Sequence, residues 1–73
     1  MKCYGYSKED TDNLLEMTEI TFQANPEMLK MLADFFISCA NSIENNSDWE
    51  HEHLCDHAPE VESSVDIVVF NSE

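Results

Sequence analysis

The residues best suited to chemistry lie in one run of nine, Trp49-Glu50-His51-Glu52-His53-Leu54-Cys55-Asp56-His57, which holds every histidine of the chain. Alternate side chains of a β-strand point to the same face, in steps of about 7 Å. On a strand, His51, His53 and Cys55 therefore share one face. Imidazole nitrogen and thiolate sulfur are both ligands that zinc prefers, so this face is a candidate metal site, with His57 as a further ligand.

The spacing of these ligands matches known zinc signatures only in part. An HxH pair on a strand chelates a metal, but the paired CxxC or HxxxH spacing of structural zinc sites is absent. Strand alternation alone also produces this pattern, with the side chains packed beside Trp49 and their polar atoms hydrogen-bonded. We therefore expect no metal and no cofactor, and keep a site of His51, His53, Cys55 and His57 as the alternative.

The same run does not form a catalytic pair. Adjacent residues on a strand face opposite ways, so Glu52 is out of hydrogen-bond reach of His51 and His53. No nucleophile lies in a recognisable elbow, and the single glycine excludes a glycine-rich phosphate loop. Cys39 lies on the apolar face of a predicted helix, where a small core residue is expected. The sequence predicts a protein that is not an enzyme.

The balance of charges is far from neutral. The chain has 3 Lys+Arg against 16 Asp+Glu, a formal net charge of −13, and no basic residue follows Lys30. Phosphate binding depends on Lys and Arg that release counterions, so direct binding to nucleic acid or to an anionic membrane is excluded. An acidic surface can act only to keep a protein soluble, but a surface on which all charges are negative also steers a basic partner to its site.

A binding surface for such a partner is predicted in the second half of the chain. Trp49 is an aromatic anchor there if it is exposed, and a core residue otherwise; Tyr4 and Tyr6 are the other candidate anchors. The predicted surface consists of Asp48, Trp49, Glu50, Glu52, Asp56, Glu60 and Glu62.

The length of 73 residues suits one small domain, spanning 1–73, with a thin core. A hydrophobic content of 42% indicates a folded chain despite the charge. Three cysteines without a CxxC pair, no signal peptide and no long apolar run predict a cytoplasmic protein with reduced thiols.

Four strands and one helix are predicted to position these residues. Apolar alternation predicts strands at 2–6, 16–24, 48–56 and 65–70, with loops at 7–13 and 57–64. Asn25, Pro26 and Glu27 form a helix start, and the helix is expected to run to about Glu44. The predicted fold is α+β, a small four-stranded, mostly antiparallel sheet with one amphipathic helix packed on one face, in the order β-β-α-β-β.

The predicted burial follows from the same patterns. In the second strand Ile20, Phe22 and Ala24 face the core, and the last strand lies in the middle of the sheet because it is apolar on both faces apart from Asp66. Ile37 is an exposed apolar side chain on the polar face of the helix. The apolar arc of the helix consists of Met28, Leu29, Leu32, Phe35, Phe36, Cys39, Ala40 and Ile43.

Three stretches, read in order, carry a family resemblance. They are the 16–24 strand leading into Asn25-Pro26-Glu27, the run Asp48-Trp49-Glu50-His51-Glu52-His53-Leu54, which is the most distinctive, and the closing run Val65-Asp66-Ile67-Val68-Val69-Phe70-Asn71. Together they resemble the immunity protein 32 family of bacterial polymorphic-toxin and contact-dependent inhibition systems. The resemblance implies a cytosolic, non-enzymatic antidote that neutralises a cognate toxin, usually encoded beside it.

Charge and resemblance together predict an inhibitor of a basic toxin, a nuclease, whose phosphate-binding cleft it fills in a one-to-one complex. Two alternatives stay open. One is a small metal-binding protein that uses the histidines and Cys55. The other is an acidic assembly subunit that adds a sheet edge to a partner or to a second copy.

Overall fold

The computed structural model describes residues 1–60 and 65–72. Its elements, in chain order, are β1 (Cys3–Gly5), β2 (Leu15–Met17), α1 (Pro26–Asn45), β3 (His51–His53), α2 (Leu54–His57) and β4 (Val68–Phe70). The predicted α+β class is confirmed, and so is the order of the strands around the long helix. The short helix α2 was not predicted.

The strands form two separate antiparallel pairs, so the prediction of one four-stranded sheet is wrong. β1 pairs with β2, with Cys3 opposite Met17, and β3 pairs with β4, with His51 opposite Phe70. Each strand has three residues. The two strands of each pair lie on the same side of α1 in the sequence. Such short strands offer few hydrogen bonds for a further partner.

The long helix begins where the sequence predicts. Asn25 is its N-cap, and the Asn25 Oδ1 atom accepts a hydrogen bond of 2.8 Å from the Met28 N–H. Pro26 occupies the first turn, where a missing N–H costs nothing, and Glu27 lies at the positive end of the helix dipole. The helix ends at Asn45, one residue beyond the predicted end.

Fewer residues of α1 are buried than the predicted apolar arc contains. Leu32, Phe35 and Cys39 of α1 are buried together with Leu54, and the half-buried side chains packed against this cluster are Met28, Trp49, Ile67 and Val69. Leu29 and Phe36, also on the predicted arc, are 46% and 42% exposed, and Ala40 is exposed. Only one side of α1 faces the small β3–β4 pair, so the flanks of the arc stay in solvent.

The prediction for 16–24 is wrong beyond Met17. The chain pairs with β1 over Leu15–Met17 and then forms neither strand nor helix until Pro26. Ile20 and Phe22 are 48% and 51% exposed, and Ala24 is exposed as well. Period-two alternation makes a strand only where a neighbouring strand supplies hydrogen bonds, and in the part of the chain described here this stretch has none.

The predicted strand at 48–56 is a strand only at His51–His53, since α2 begins at Leu54. Leu54 and Ala58, four residues apart on one helical face, are both buried. The strand prediction had placed Leu54 on the face of Glu50 and Glu52. One helical turn buries both apolar residues, and the side chains of Cys55, Asp56 and His57 between them stay exposed.

The last predicted strand is shortened to Val68–Phe70 and is not central. Its only partner among residues 1–60 and 65–72 is β3, and Val68 and Phe70 are 39% and 64% exposed. The predicted loop at 7–13 is confirmed, with Asp10 accepting hydrogen bonds from Asp12 and Asn13. Part of the loop predicted at 57–64 lies outside the described residues.

In the described part of the chain, no helix combines the length and the apolar character needed to cross a membrane. The three cysteines are free, and Cys39 is buried as predicted. Ile37 is exposed on α1, also as predicted.

Candidate functional site

The predicted alternation holds along β3 itself. The rings of His51 and His53 contact each other edge to face, with centroids 5.5 Å apart, so both side chains lie on one face of the strand. Glu52 lies between them in sequence, is half-buried, and is close enough to Cys39 for its charge to raise the pKa of that thiol, after burial as the larger cause. Glu52 therefore faces α1, on the opposite side of β3 from the two histidines.

The strand pair and a ring contact fix the position of His51. Its imidazole stacks on the ring of Phe70, the residue opposite in β4, with centroids 4.7 Å apart and an interplanar angle of 17°. Its Nδ1 atom lies 3.0 Å from Oε1 of Glu50. His51 is thus engaged by an aromatic ring and a neighbouring carboxylate.

His57 lies at the end of α2 and makes different contacts from the other two histidines. Its ring is tilted against the ring of buried Phe35, with centroids 5.2 Å apart. The predicted set of His51, His53, Cys55 and His57 is therefore not brought together as one group of ligands. The reason is the turn into α2, which ends the strand alternation on which that set depended.

The structure instead brings His53 and Cys55 together with Asp66. The Nδ1 atom of His53 lies 2.6 Å from Oδ2 of Asp66. The backbone N–H of Cys55 donates a hydrogen bond of 3.3 Å to Oδ1 of the same carboxylate. One potential ligand atom from each of the three side chains lies within 4.8 Å of the other two. We call His53, Cys55 and Asp66 the β3–α2 cluster.

Asp66 has a structural role in this cluster. The residue that precedes α2, His53, makes no side-chain cap, and the Asp66 carboxylate accepts the hydrogen bond from the free N–H of Cys55 in the first turn. The segment just before β4 is held there by a second bond, in which the Leu54 N–H donates to the Ile67 carbonyl oxygen at 2.7 Å. A carboxylate from the segment before β4 thus caps the start of α2.

The electrostatics of the β3–α2 cluster follow from these contacts. The hydrogen bond to Asp66 raises the pKa of His53 above its ordinary value, and the nearby charges of Asp66 and Asp56 act in the same direction. The hydrogen bond from His53 lowers the pKa of Asp66. Desolvation and then the Asp66 charge raise the pKa of the Cys55 thiol, so Cys55 is a protonated thiol at neutral pH.

Asp66 could have been found from the sequence by one signal. It is the single charged residue in the apolar run 65–70, and a charge in such a run needs a partner or an exposed position. Its partners lie 11 and 13 residues earlier, and no local pattern connects them.

The residues of the predicted partner-binding surface differ in their exposure to solvent. Asp48, Glu50, Asp56 and Glu60 are exposed, Glu52 is half-buried against α1, and Glu62 lies outside the described residues. Of the predicted aromatic anchors, Trp49 is half-buried and packs against the core cluster, whereas Tyr4 and Tyr6 are 52% and 59% exposed.

An asparagine ties this surface to β4. The Nδ2 atom of Asn71 donates hydrogen bonds to the carbonyl oxygens of Ser47, at 3.0 Å, and Trp49, at 2.9 Å. The Asn71 N–H donates to the Glu50 carbonyl oxygen at 2.8 Å. The segment that carries Asp48, Trp49 and Glu50 is therefore fixed by three bonds from one residue.

Most of the chain matches the model of a known protein family. Searches of curated proteins and of solved structures found no match to the chain. The model of a protein family described as immunity protein 32 matches residues 19–72, from just before α1 to beyond β4. That span includes the long helix, both members of the β3–β4 pair and the β3–α2 cluster, and it covers well over half of the chain. The chain belongs to the immunity protein 32 family.

Proposed function

We propose that this protein neutralises a basic nuclease toxin by binding it one-to-one and covering its active or substrate-binding surface. Membership of the immunity protein 32 family supports the antidote role. The nuclease target and the covered surface are inferred from charge, and the one-to-one stoichiometry is part of the proposal. In this proposal the protein acts by occlusion and performs no catalysis itself.

The observation that carries the proposal is the exposed negative charge. Of 16 Asp+Glu, ten follow Lys30, where the chain has no Lys or Arg to offset them. A nuclease holds phosphate in a basic cleft, and that cleft attracts a dense set of carboxylates as it attracts its substrate. A net charge of −13 on 73 residues is larger than solubility alone requires.

The proposed contact surface is the segment from Asp48 to Glu62, and the exposed carboxylates among its described residues, 48–60, are Asp48, Glu50, Asp56 and Glu60. The backbone that carries Glu50 is held by Asn71, and α2, which carries Asp56, is capped by Asp66, so these two carboxylates stand on hydrogen-bonded backbone. A surface that is already ordered loses little conformational entropy on binding, which favours tight association.

Trp49 and Glu52 have indirect roles in this surface. Trp49 packs against the core and holds the segment on α1, and its exposed part adds apolar contact area. Glu52 is half-buried behind β3, so its charge contributes to the field more than to direct contacts. We assign the direct ion pairs to Glu50 and Asp56.

The proposal takes residues 1–73 as one domain that works as a monomer in the cytoplasm, where a toxin delivered into a bacterial cell would act. The toxin is expected to be encoded beside this gene, as in polymorphic-toxin and contact-dependent inhibition systems. Direct binding to nucleic acid plays no part, because the charge is of the wrong sign.

The test is binding to the protein encoded by the neighbouring toxin gene, with nuclease activity measured in parallel. The double variant Glu50→Lys with Asp56→Lys is expected to lower the association rate constant at least tenfold. The matched control is Asp34→Lys with Glu44→Lys, which makes the same charge change at exposed positions of α1. If both double variants slow association equally, net charge acts without the proposed surface. If the folded wild type does not bind this toxin, the proposed antidote role loses its support.

A further inference from the structure

We propose that His53, Cys55 and Asp66 bind one zinc ion, with water as the fourth ligand. The inference does not depend on the toxin. It differs from the metal site predicted from sequence, because it replaces His51 and His57 with a carboxylate from the segment before β4.

The distances of the β3–α2 cluster are close to those of a metal site. One ligand atom of each side chain lies within 4.8 Å of the other two. Bond lengths of 2.0 to 2.3 Å place the donor atoms around a tetrahedral zinc roughly 3.3 to 3.8 Å apart. Reaching these separations needs movements of about 1 Å. His53 Nδ1 and Asp66 Oδ2, now 2.6 Å apart, move away from each other, and any pair near 4.8 Å moves closer. Cys55 and Asp66 are exposed and His53 is half-buried, so small side-chain rotations suffice.

The donor set selects the type of metal. A nitrogen, a sulfur and a carboxylate oxygen suit zinc, which binds all three. Magnesium and calcium prefer oxygen ligands alone, so a site with imidazole and thiolate discriminates against them. Three protein ligands leave one tetrahedral position for water.

Contacts within the cluster hold its side chains together. The Asp66 carboxylate is held by His53 at 2.6 Å and by the Cys55 N–H at 3.3 Å. A bound ion would replace the His53 to Asp66 hydrogen bond with two metal bonds, and the proton of that bond and the Cys55 thiol proton would be released to water. The cap on α2 stays available through Oδ1. The neighbouring carboxylate of Asp56 adds negative charge that attracts a cation.

The other two histidines give matched controls. His51 is stacked on Phe70 and His57 contacts Phe35. Neither belongs to the group of ligand atoms within 4.8 Å. Cys3 is a second free thiol in β1, in the other half of the chain.

The experiment is a titration of the full chain with zinc by calorimetry and with cobalt(II) by absorption spectroscopy, in a non-thiol reductant. We expect one equivalent of metal and a thiolate-to-cobalt charge-transfer band. Cys55→Ser is expected to abolish the band and, like Asp66→Asn, to weaken zinc binding about tenfold or more. His57→Gln and Cys3→Ser are expected to leave both signals unchanged. Circular dichroism confirms that each variant is folded.

Three results would overturn the proposal. One is the absence of binding by the folded wild-type chain. Another is zinc binding that Cys55→Ser does not weaken, which would indicate scattered carboxylates. The third is equal loss in His57→Gln or His51→Gln, which would restore the site predicted from sequence. Because Ser is nearly isosteric with Cys and Asn can still accept the hydrogen bond from Cys55, both test variants are expected to fold.

Discussion

The imidazole of His53 and the carboxylate of Asp66 meet with 2.6 Å between Nδ1 and Oδ2, across 13 residues of chain. The side chains are 40% and 41% exposed, so water screens the pair and its contribution to stability is small. Its structural effect is larger, because the same carboxylate caps α2. The pair therefore connects the start of one element with the segment before another.

The pair makes stability depend on pH in a defined window. The raised pKa of His53 gives a stabilisation that is complete below its ordinary value of 6.5 and is lost as the pH rises through the higher folded value. The lowered pKa of Asp66 gives a stabilisation that is present above its ordinary value of 3.8 and is lost as the pH falls through the lower folded value. The contribution is largest between these two ordinary values.

We expect Asp66→Asn to lower the free energy of unfolding more at pH 5 than at pH 8. The variant removes the charge but keeps an oxygen that accepts the hydrogen bond from Cys55. Urea unfolding at the two pH values, with a chelator present, measures the difference. Asp12→Asn is the control, because it removes an exposed carboxylate that does not contribute to the raised pKa of His53. Equal losses at the two pH values would contradict the linkage.

Adjacent phenylalanines of α1 differ sharply in burial, which gives a test of the core. Phe35 is 0% exposed and Phe36 is 42% exposed. Phe35→Ala is expected to cost about 3 to 5 kcal/mol, enough to unfold much of so small a domain, whereas Phe36→Ala costs about 1 kcal/mol or less. Chemical denaturation followed by circular dichroism measures both. Equal costs would mean that the helix is rotated from its described orientation.

The bonds from Asn71 predict a cost for a nearly isosteric change. Asn71→Asp removes both donors to the Ser47 and Trp49 carbonyl oxygens and places a negative charge beside them. We expect a loss of about 1 to 3 kcal/mol in the free energy of unfolding. Ser72→Asp adds the same charge at the next, exposed residue and is expected to change stability by less than about 0.5 kcal/mol. A similar loss in both variants would point to net charge instead.

Salt dependence tests electrostatic steering of the toxin. Between about 0.01 M and 1 M salt the Debye length falls from about 30 Å to about 3 Å. The association rate constant of the wild-type complex is expected to fall tenfold or more over this range, while the dissociation rate constant changes less. Stopped-flow mixing with the toxin at several salt concentrations measures both constants. An association rate constant that does not depend on salt would contradict the proposed role of the acidic surface.

The helix was predictable because its signals are local. Asn25, Pro26 and Glu27 act within one turn, and the spacing of Leu32, Phe35 and Cys39 needs no partner to be read. The strands were less predictable because pairing partners lie elsewhere in the chain. Alternation at Ile20 and Phe22 is as regular as in β3, yet only the β3 segment has a partner strand in the described chain.

The site shows the same division between local and distant causes. The shared face of His51 and His53 follows from strand alternation and was predicted correctly. The turn into α2 depends on the burial of Leu54 and on a cap from Asp66, so it required knowledge of where β4 lies. That turn removes His57 from the predicted ligands and introduces Asp66.

The two strand pairs also have a consequence for how quickly the protein becomes functional. Cys3 pairs with Met17 and His51 with Phe70, so each pair closes a loop of modest length, and no strand pair in residues 1–60 and 65–72 spans α1. Contacts between residues close in sequence favour folding in microseconds to milliseconds. The first hairpin can form during synthesis, before the helix is complete, although an isolated hairpin gains lasting stability only with further packing. A newly made chain would then be ready to act almost as soon as translation ends.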